Sequence, residues 1–312
     1  MKLIFCGTPQ FAVPTLEKLV AEKFSIQLVI TNPDEPRGRG HKVLPSPVKE
    51  AAVKHGLPVY QPARLKTDEA REHISQFKPD TIVIVAYGHI VPQWMIDVPP
   101  LGCINLHASI LPKYRGAAPI NWAIINGEKE TGVTTMKIDA GMDTGDMLLE
   151  HREPLHDDDT TETLGERLSL TGADLMIETL RRLERGEITP QPQDSSQATM
   201  APKLRKEDGL IDWNRPAPEI ARRVRGLIPW PGAFTSFRGK QLHLWRAEAI
   251  PAAGHSQLAP GTITTEVAQF AVTCGEGTLL AIHEVQLEGR KRLRAREFMN
   301  GARVESGETL GP

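Results

Sequence analysis

The chain has 312 residues, of which 40% are hydrophobic and 24% charged, a balance that is ordinary for globular protein and allows two domains. Its formal net charge is only −2, so the chain as a whole is neither strongly basic nor strongly acidic. Its three cysteines, Cys6, Cys103 and Cys274, are widely spaced, which excludes a disulfide framework and a cysteine metal site.

The first ten residues, MKLIFCGTPQ, carry only a short apolar run before Gly7 and Pro9. This run is too short for a signal peptide or a membrane span. We therefore expect a cytoplasmic protein without membrane association, whose cysteines are reduced and mostly buried.

The first two hundred residues alternate strand-like and helix-like patterns. Apolar runs predict strands at residues 2–6, 26–31, 81–85 and 102–107. Helical spacing predicts helices at residues 11–22, 47–55 and 68–77, the second capped by Ser46. This order predicts an α/β fold, a doubly wound Rossmann-like and mostly parallel sheet with a site at the carboxyl ends of its strands.

The pattern changes after a polar stretch rich in proline and serine at residues 187–202. Short strands are predicted at residues 241–247, 261–265, 269–273 and 278–286, after one helix at residues 218–226. About a hundred residues of this kind predict a small β-barrel. We expect a catalytic domain at residues 1–188, a linker at 189–207 and a second domain at 208–312.

The stretch GCINLHASILPKYRG, residues 102–116, is the most informative motif. Asn105 and His107 lie two residues apart on a strand, so their side chains project from the same face. An amide donor beside a group that moves protons suits addition to a carbonyl. Asn and His at a strand end also often merely satisfy turn backbone, but the strand end and the SILP turn that follows favour a site.

Two further motifs narrow the chemistry. The GTPQF after the first strand has Pro9 where a dinucleotide-binding motif needs its second glycine, which argues against nicotinamide binding. The loop DAGMDTGD carries Asp139, Asp143 and Asp146 with a spacing that does not match a calcium site. A carboxylate from this loop that orients His107 is the preferred interpretation.

Basic residues cluster in three places. The stretch 31–45, TNPDEPRGRGHKVLP, carries Arg39 and Lys42, the linker reads KLRK, and residues 290–296 read RKRLRAR. From Lys203 onward there are 16 basic against 12 acidic residues. These clusters are either solvated surfaces or contacts to a phosphate backbone.

Together these motifs resemble a known family. The segments NLHASILPKYRG and DAGMDTGD, the GRG loop after TNPDEP, VAYG at residues 85–88 and IPWPGA at residues 228–233 are similar to the formyltransferases that use 10-formyltetrahydrofolate, in particular those acting on methionyl-tRNA. The resemblance covers nearly the whole chain. It implies an OB-like C-terminal barrel that contacts tRNA, and direct attack of the amino group on the formyl carbon without a covalent enzyme intermediate.

The resemblance also implies roles for individual residues. The implied catalytic residues are Asn105, His107 and Asp143. The implied folate contacts are Ser109, Ile110, Leu111, Pro112, Val85, Ala86, Tyr87, Gly88 and Asp139, and Ile110 stands where leucine is commoner. The implied contacts to initiator methionyl-tRNA are Arg39, Lys42, Lys203, Arg205 and Lys206. We expect a monomer without a metal.

Two other functions stay open at this point. The same catalytic core serves formyltransferases for amino sugar nucleotides, although the basic loop and linker argue against such an acceptor. A noncatalytic RNA-binding protein on an inert folate fold is the second alternative, and the complete set of Asn105, His107 and Asp143 argues against it.

Overall fold

A computed structural model describes residues 1–37, 42–251, 258–265 and 270–311. The chain divides into two compact units. Unit 1 comprises residues 1–119, 130–154 and 165–201, and unit 2 comprises residues 120–129, 155–164 and 202–312. Within the described residues, no helix combines the length and the hydropathy that a membrane span needs.

A seven-stranded sheet organises unit 1. Its strands, with a separate hairpin formed by β3 and β4, are β1 (Lys2–Gly7), β2 (Ser25–Ile30), β3 (Glu35–Arg37), β4 (Lys42–Leu44), β5 (Val59–Tyr60), β6 (Thr81–Val85), β7 (Cys103–His107), β8 (Glu130–Lys137) and β9 (Met147–Pro154). The strand order is β5-β2-β1-β6-β7-β8-β9, parallel from β5 to β7 and antiparallel for β8 and β9. The predicted doubly wound, mostly parallel sheet is confirmed.

The helices follow the predicted pattern in the first part of the chain. They are α1 (Val13–Ala21), α2 (Pro47–Lys54), α3 (Asp68–Ser75), α4 (Gln93–Asp97), α5 (Pro119–Asn126), α6 (Thr161–Glu184), α7 (Ala217–Gly226) and α8 (Ala295–Ala302). Ser46 caps α2 as expected, because its hydroxyl accepts a hydrogen bond from the Lys49 N–H at 3.0 Å. Strands β1 and β6 are buried along almost their whole length, as apolar runs covered on both faces should be.

Several elements of unit 1 have no counterpart among the predicted ones, and the β3–β4 hairpin and helix α6 are the most informative of them. The stretch predicted as a loop at residues 31–45 contains the hairpin β3–β4, and Arg39 lies outside the described residues. The long helix α6 contains Gly172, a poor helix former. A Cβ at Gly172 would come within 2.6 Å of Leu106 Cδ2, so close packing against β7 explains the glycine.

Unit 2 contains an antiparallel sheet with the order β10-β11-β14-β13-β12, to which β15 adds by pairing with β14. These strands are β10 (Ala233–Phe237), β11 (Lys240–Ile250), β12 (Ile263–Thr264), β13 (Ala271–Thr273), β14 (Leu279–Leu287) and β15 (Leu293–Arg294). The Phe298 ring of α8 packs on Phe237 and Phe270, with centroids 5.4 and 5.9 Å away. This is the small β domain that the sequence predicts. All three cysteines are free and buried, as expected.

The Ser46 cap is a test of the fold. Its hydroxyl also bonds the buried Thr31 hydroxyl at 2.7 Å, so Ser46→Ala removes a cap and leaves a second group unpaired. We expect a loss of about 2–3 kcal/mol of unfolding free energy. Thr67→Ala removes only the cap of α3 and should cost about 1 kcal/mol. Urea titration of both variants measures the difference, and equal losses would contradict the role of the Thr31 contact.

Candidate active site

Asn105 and His107 lie at the carboxyl end of β7, which pairs with β6 on one side and β8 on the other. In this register Asn105 stands opposite Met136 and His107 opposite Thr134. Leu106 between them is 3% exposed and packs in the core. The alternation of a strand therefore sends Asn105 and His107 to one face, as the sequence predicts.

His107 is almost completely buried and contacts two groups. Its Nε2–H donates to the Tyr114 carbonyl oxygen at 2.9 Å. A carbonyl oxygen only accepts hydrogen bonds, so this contact places a proton on Nε2. The other ring nitrogen, Nδ1, lies 3.7 Å from the Asp143 Oδ2. At this distance the carboxylate lies beside the ring nitrogen without a direct hydrogen bond, close enough for an electrostatic interaction between the two groups.

Asp143 comes from the loop between β8 and β9 and reaches the loop after β7. Its Oδ2 accepts a hydrogen bond from the Gly116 N–H at 2.8 Å. Its φ of 53° lies in the left-handed region, which costs a non-glycine residue roughly 1 kcal/mol or more. The carboxylate beside His107 is thus held by a specific backbone contact in a conformation that the chain would not choose by itself.

The Asn105 side chain is half-buried and makes no hydrogen bond to any residue that the structure describes. An amide at the edge of a site normally finds a partner in the protein or in a ligand. The structure therefore leaves the Asn105 amide free to donate to a substrate oxygen.

The turn after β7 is held by a residue that sequence reasoning missed. The Thr134 hydroxyl donates to the Ser109 carbonyl at 2.7 Å and accepts from the Leu111 N–H at 3.3 Å. The Ser109 hydroxyl donates to the Lys113 carbonyl at 2.6 Å. Thr134 belongs to β8, and it reaches this turn because β8 pairs with β7. The sequence around Thr134 does not predict that pairing. The predicted folate residues 109–112 form an ordered turn beside His107.

The second predicted folate segment, residues 85–88, is a turn at the end of β6. Ala86 and Gly88 have φ values of 46° and 85°, which turn the chain sharply. Tyr87 is 2% exposed, and burial raises the pKa of its phenol well above the ordinary value. The side chains of Val85 and Tyr87 are therefore core, and this turn offers mainly backbone groups to a ligand. The nearby Asn32 Oδ1 is a buried acceptor without a partner among the described residues.

Asp139 orders its own loop. Its carboxylate accepts hydrogen bonds from the Gly141 N–H at 3.0 Å and from the Thr144 hydroxyl at 2.7 Å. Its predicted contact to folate remains a prediction. In the part of the chain that the structure describes, no group of three or more His, Cys, Asp or Glu side chains could hold a metal ion.

As far as Ala201, the segment predicted as a linker packs against the turn that follows β7. The Thr199 hydroxyl accepts from the Tyr114 N–H at 2.9 Å, and its carbonyl accepts from the Arg115 N–H at 2.9 Å. The Ala201 N–H donates to the Arg115 carbonyl at 2.7 Å. The polar, aperiodic sequence indicates irregular backbone but carries no signal for these long-range contacts.

The predicted tRNA contacts fall in different places. Lys203, Arg205 and Lys206 have exposed side chains without an ion-pair partner among the described residues. They belong to unit 2, together with the short helix Lys206–Gly209. Lys42 begins β4.

Two family models match the chain. The formyl transferase model matches residues 1–180. The formyl transferase C-terminal domain model matches residues 203–303. A curated relative, the methionyl-tRNA formyltransferase of Koribacter versatilis, is 54% identical over 312 residues, which are 100% of this chain and 99% of that protein.

Solved structures share the fold at low identity. An N-formyltransferase from Helicobacter canadensis in complex with folinic acid and dTDP-3-aminofucose is 19% identical, with a TM-score of 0.67 over 94% of this chain and 100% of that one. A variant of HypX from Aquifex aeolicus is 18% identical with a TM-score of 0.66, and 99% of this chain spans 48% of its length. Because formyltransferases with different names share this fold, the assignment of this chain rests on sequence identity over its full length. The chain belongs to the formyl transferase family, in the group of the methionyl-tRNA formyltransferases.

Proposed function

We propose that this enzyme transfers the formyl group of 10-formyltetrahydrofolate to the free amino group of methionyl initiator tRNA. The product is N-formylmethionyl-tRNA for translation initiation. The observation that carries the chemistry is the arrangement of the free Asn105 amide beside His107, whose Nδ1 lies 3.7 Å from the Asp143 carboxylate. The family and the full-length identity to the Koribacter versatilis relative support the acceptor.

The reaction needs a donor for the formyl oxygen and an acceptor for a proton. The α-amino group of an aminoacyl ester has a neutral fraction near pH 7 and attacks the formyl carbon directly. The Asn105 amide donates to the oxygen on which negative charge develops, a role worth about 2.7–4 kcal/mol. No side chain forms a covalent bond, because the amine is itself the nucleophile.

His107 and Asp143 handle the proton. The sequence indicates His107 as a group that moves protons, and the Nε2–H of its ring is already given to the Tyr114 carbonyl. We therefore assign the Nδ1 side of the ring, together with Asp143, to accept the proton that the attacking amine loses. The bond between the formyl carbon and the donor nitrogen then breaks, and that nitrogen takes up a proton as it leaves.

The residues present fit a folate. The turns at residues 85–88 and 109–112 offer backbone groups at the carboxyl ends of β6 and β7. Asn32 Oδ1, near the first of these turns, is an acceptor without a partner among the described residues. A heteroaromatic ring with several donors and acceptors is bound by groups of this kind. When bound, 10-formyltetrahydrofolate supplies the formyl carbon.

The acceptor side of the proposal rests on charge. Exposed Lys203, Arg205 and Lys206 can bind the RNA backbone, and we propose the same role for Arg39 and Lys42. We propose catalysis for residues 1–188 together with the predicted linker as far as Ala201, and tRNA binding for residues 203–206 together with the OB-like domain at 208–312. We propose a cytoplasmic monomer.

Removal of the catalytic groups should stop turnover without weakening tRNA binding. Asn105→Ala should lower kcat by roughly 10²–10³ because the oxyanion donor is absent. His107→Ala and Asp143→Asn should also lower kcat strongly, and the asparagine oxygen keeps the hydrogen bond to the Gly116 N–H. Asp146→Asn, in the same loop, is the matched control and should behave as wild type. Near wild-type formylation by all three catalytic variants would show the site assignment to be wrong.

Removal of the three positive charges at residues 203–206 should weaken the binding of tRNA and leave the binding of folate unchanged. In the triple variant Lys203→Ala, Arg205→Ala, Lys206→Ala we expect a raised KM for tRNA. The plot of log affinity for tRNA against log salt concentration should also become less steep, with a slope smaller by roughly 0.7–0.9 for each phosphate that the protein no longer neutralises. The KM for the folate is the internal control and should not change. The same experiment on Arg39→Ala tests the proposed contact of Arg39 to the tRNA. An unchanged salt slope would remove the residue concerned from the tRNA interface.

The acceptor itself is tested by competition. With equal amounts of charged initiator methionyl-tRNA, charged elongator methionyl-tRNA and a 4-amino sugar nucleotide, we expect formylation of the initiator to dominate. Transfer to the sugar amine would assign the enzyme to the alternative acceptor class. Retention of tRNA without any formyl transfer would favour a noncatalytic RNA-binding protein.

A further inference from the structure

The side chain of Gln193, on the segment predicted as a linker, has every hydrogen-bonding position of its amide in use. Its Nε2 donates to the Asp143 carbonyl at 2.9 Å and to the Gly145 carbonyl at 2.7 Å. Its Oε1 accepts from the Arg115 Nε at 2.9 Å and the Arg115 Nη2 at 2.7 Å. Carbonyls only accept and guanidinium groups only donate, so these partners define the orientation of the amide.

The two carbonyls belong to the strained loop that carries the Asp143 carboxylate. Asp143 has a left-handed φ of 53°, and Gly145 lies so close to Lys137 that a Cβ would meet its carbonyl oxygen at 1.9 Å. A conformation of this kind persists only where surrounding contacts hold it. On the main chain of the loop, Gln193 supplies two such contacts.

Gln193 is itself placed by pairing on both sides. Before it, Gln191 and Met147 exchange two backbone hydrogen bonds of 2.8 Å. After it, Thr199 and Ala201 pair with the backbone of Arg115. The amide between these two pairings has little freedom to leave the loop.

Arg115 strengthens the hydrogen bonds that Gln193 donates to the Asp143 loop. Its side chain is 7% exposed and has no carboxylate within ion-pair distance among the described residues. A charged donor on the amide oxygen polarises the amide, which makes its N–H groups better donors. The positive charge of Arg115 thereby acts on the Asp143 loop through Gln193.

We propose that Gln193 is a positioning residue for formyl transfer. It holds the main chain of residues 143–145 so that the Asp143 carboxylate faces His107, and the segment predicted as a linker thus forms part of the active site. This inference rests on the proposed role of Asp143 in the reaction.

Two substitutions separate positioning from simple structural support. Gln193→Leu removes all four hydrogen bonds, whereas Gln193→Glu keeps an acceptor for Arg115 and removes both donors to the loop. If Gln193 served only to pair Arg115, Gln193→Glu would retain activity, since an ion pair replaces a neutral contact. Gln197→Leu is the matched control, because Gln197 lies on the same segment and its amide bonds only the exposed Asp194.

The measurements are steady-state kinetics of formyl transfer with both substrates, the pH profile of kcat and thermal unfolding. We expect Gln193→Leu and Gln193→Glu each to lower kcat by roughly ten- to hundredfold, with both KM values within about twofold of wild type. We also expect an altered pH profile of kcat, since the Asp143 carboxylate no longer faces His107. Gln197→Leu should match wild type in each measurement.

Wild-type kcat in Gln193→Glu would overturn the inference, and so would a lowered kcat with an unchanged pH profile. If Gln193→Leu does not fold, Gln193→Glu alone decides. The proposed function is tested separately by Asp143→Asn, so full activity of that variant refutes the site assignment whatever Gln193 does.

Discussion

The hydrogen bond between the Asp143 carboxylate and the Gly116 N–H joins two loops that are 27 residues apart in the chain. One loop follows β7, which carries Asn105 and His107, and the other connects β8 to β9. Because β8 runs antiparallel to β7, it ends beside the start of β7, where the Ile138 N–H donates to the Cys103 carbonyl, so strand pairing alone does not bring the loop to His107. This hydrogen bond holds the carboxylate of Asp143, the third of the proposed catalytic residues, toward His107.

This arrangement gives each polar group of the proposed site a distinct task. The Tyr114 carbonyl occupies one nitrogen of His107, which leaves the other for Asp143. Asn105 has no partner among the described residues and so keeps its amide for the substrate. One proton carrier and one oxyanion donor are enough for attack by an amine, which explains why the proposed mechanism requires no protein nucleophile.

The parallel part of the fold was predictable because its signals are local. Apolar runs long enough to be buried on both faces indicate β1, β6 and β7, and the Ser46-Pro47 cap indicates α2. Helix α6 and the hairpin β3–β4 were not predicted. Gly172 weakens the helical pattern of α6 and is explained only by its packing against Leu106. A hairpin inside a stretch rich in proline and glycine gives no period-two pattern.

By itself the sequence determined the residue types of the chemistry and their spacing on one strand, because the two-residue period of a strand sends Asn105 and His107 to one face. Motif resemblance named the family, and identity over the full length agrees with it. Only the tertiary structure decided which nitrogen of His107 faces Asp143, that Thr134 holds the turn after β7, and that Gln193 and Thr199 bond to the loops around the proposed site. These facts depend on contacts between distant segments, and a hydrogen bond across tens of residues leaves no periodic signal in the chain.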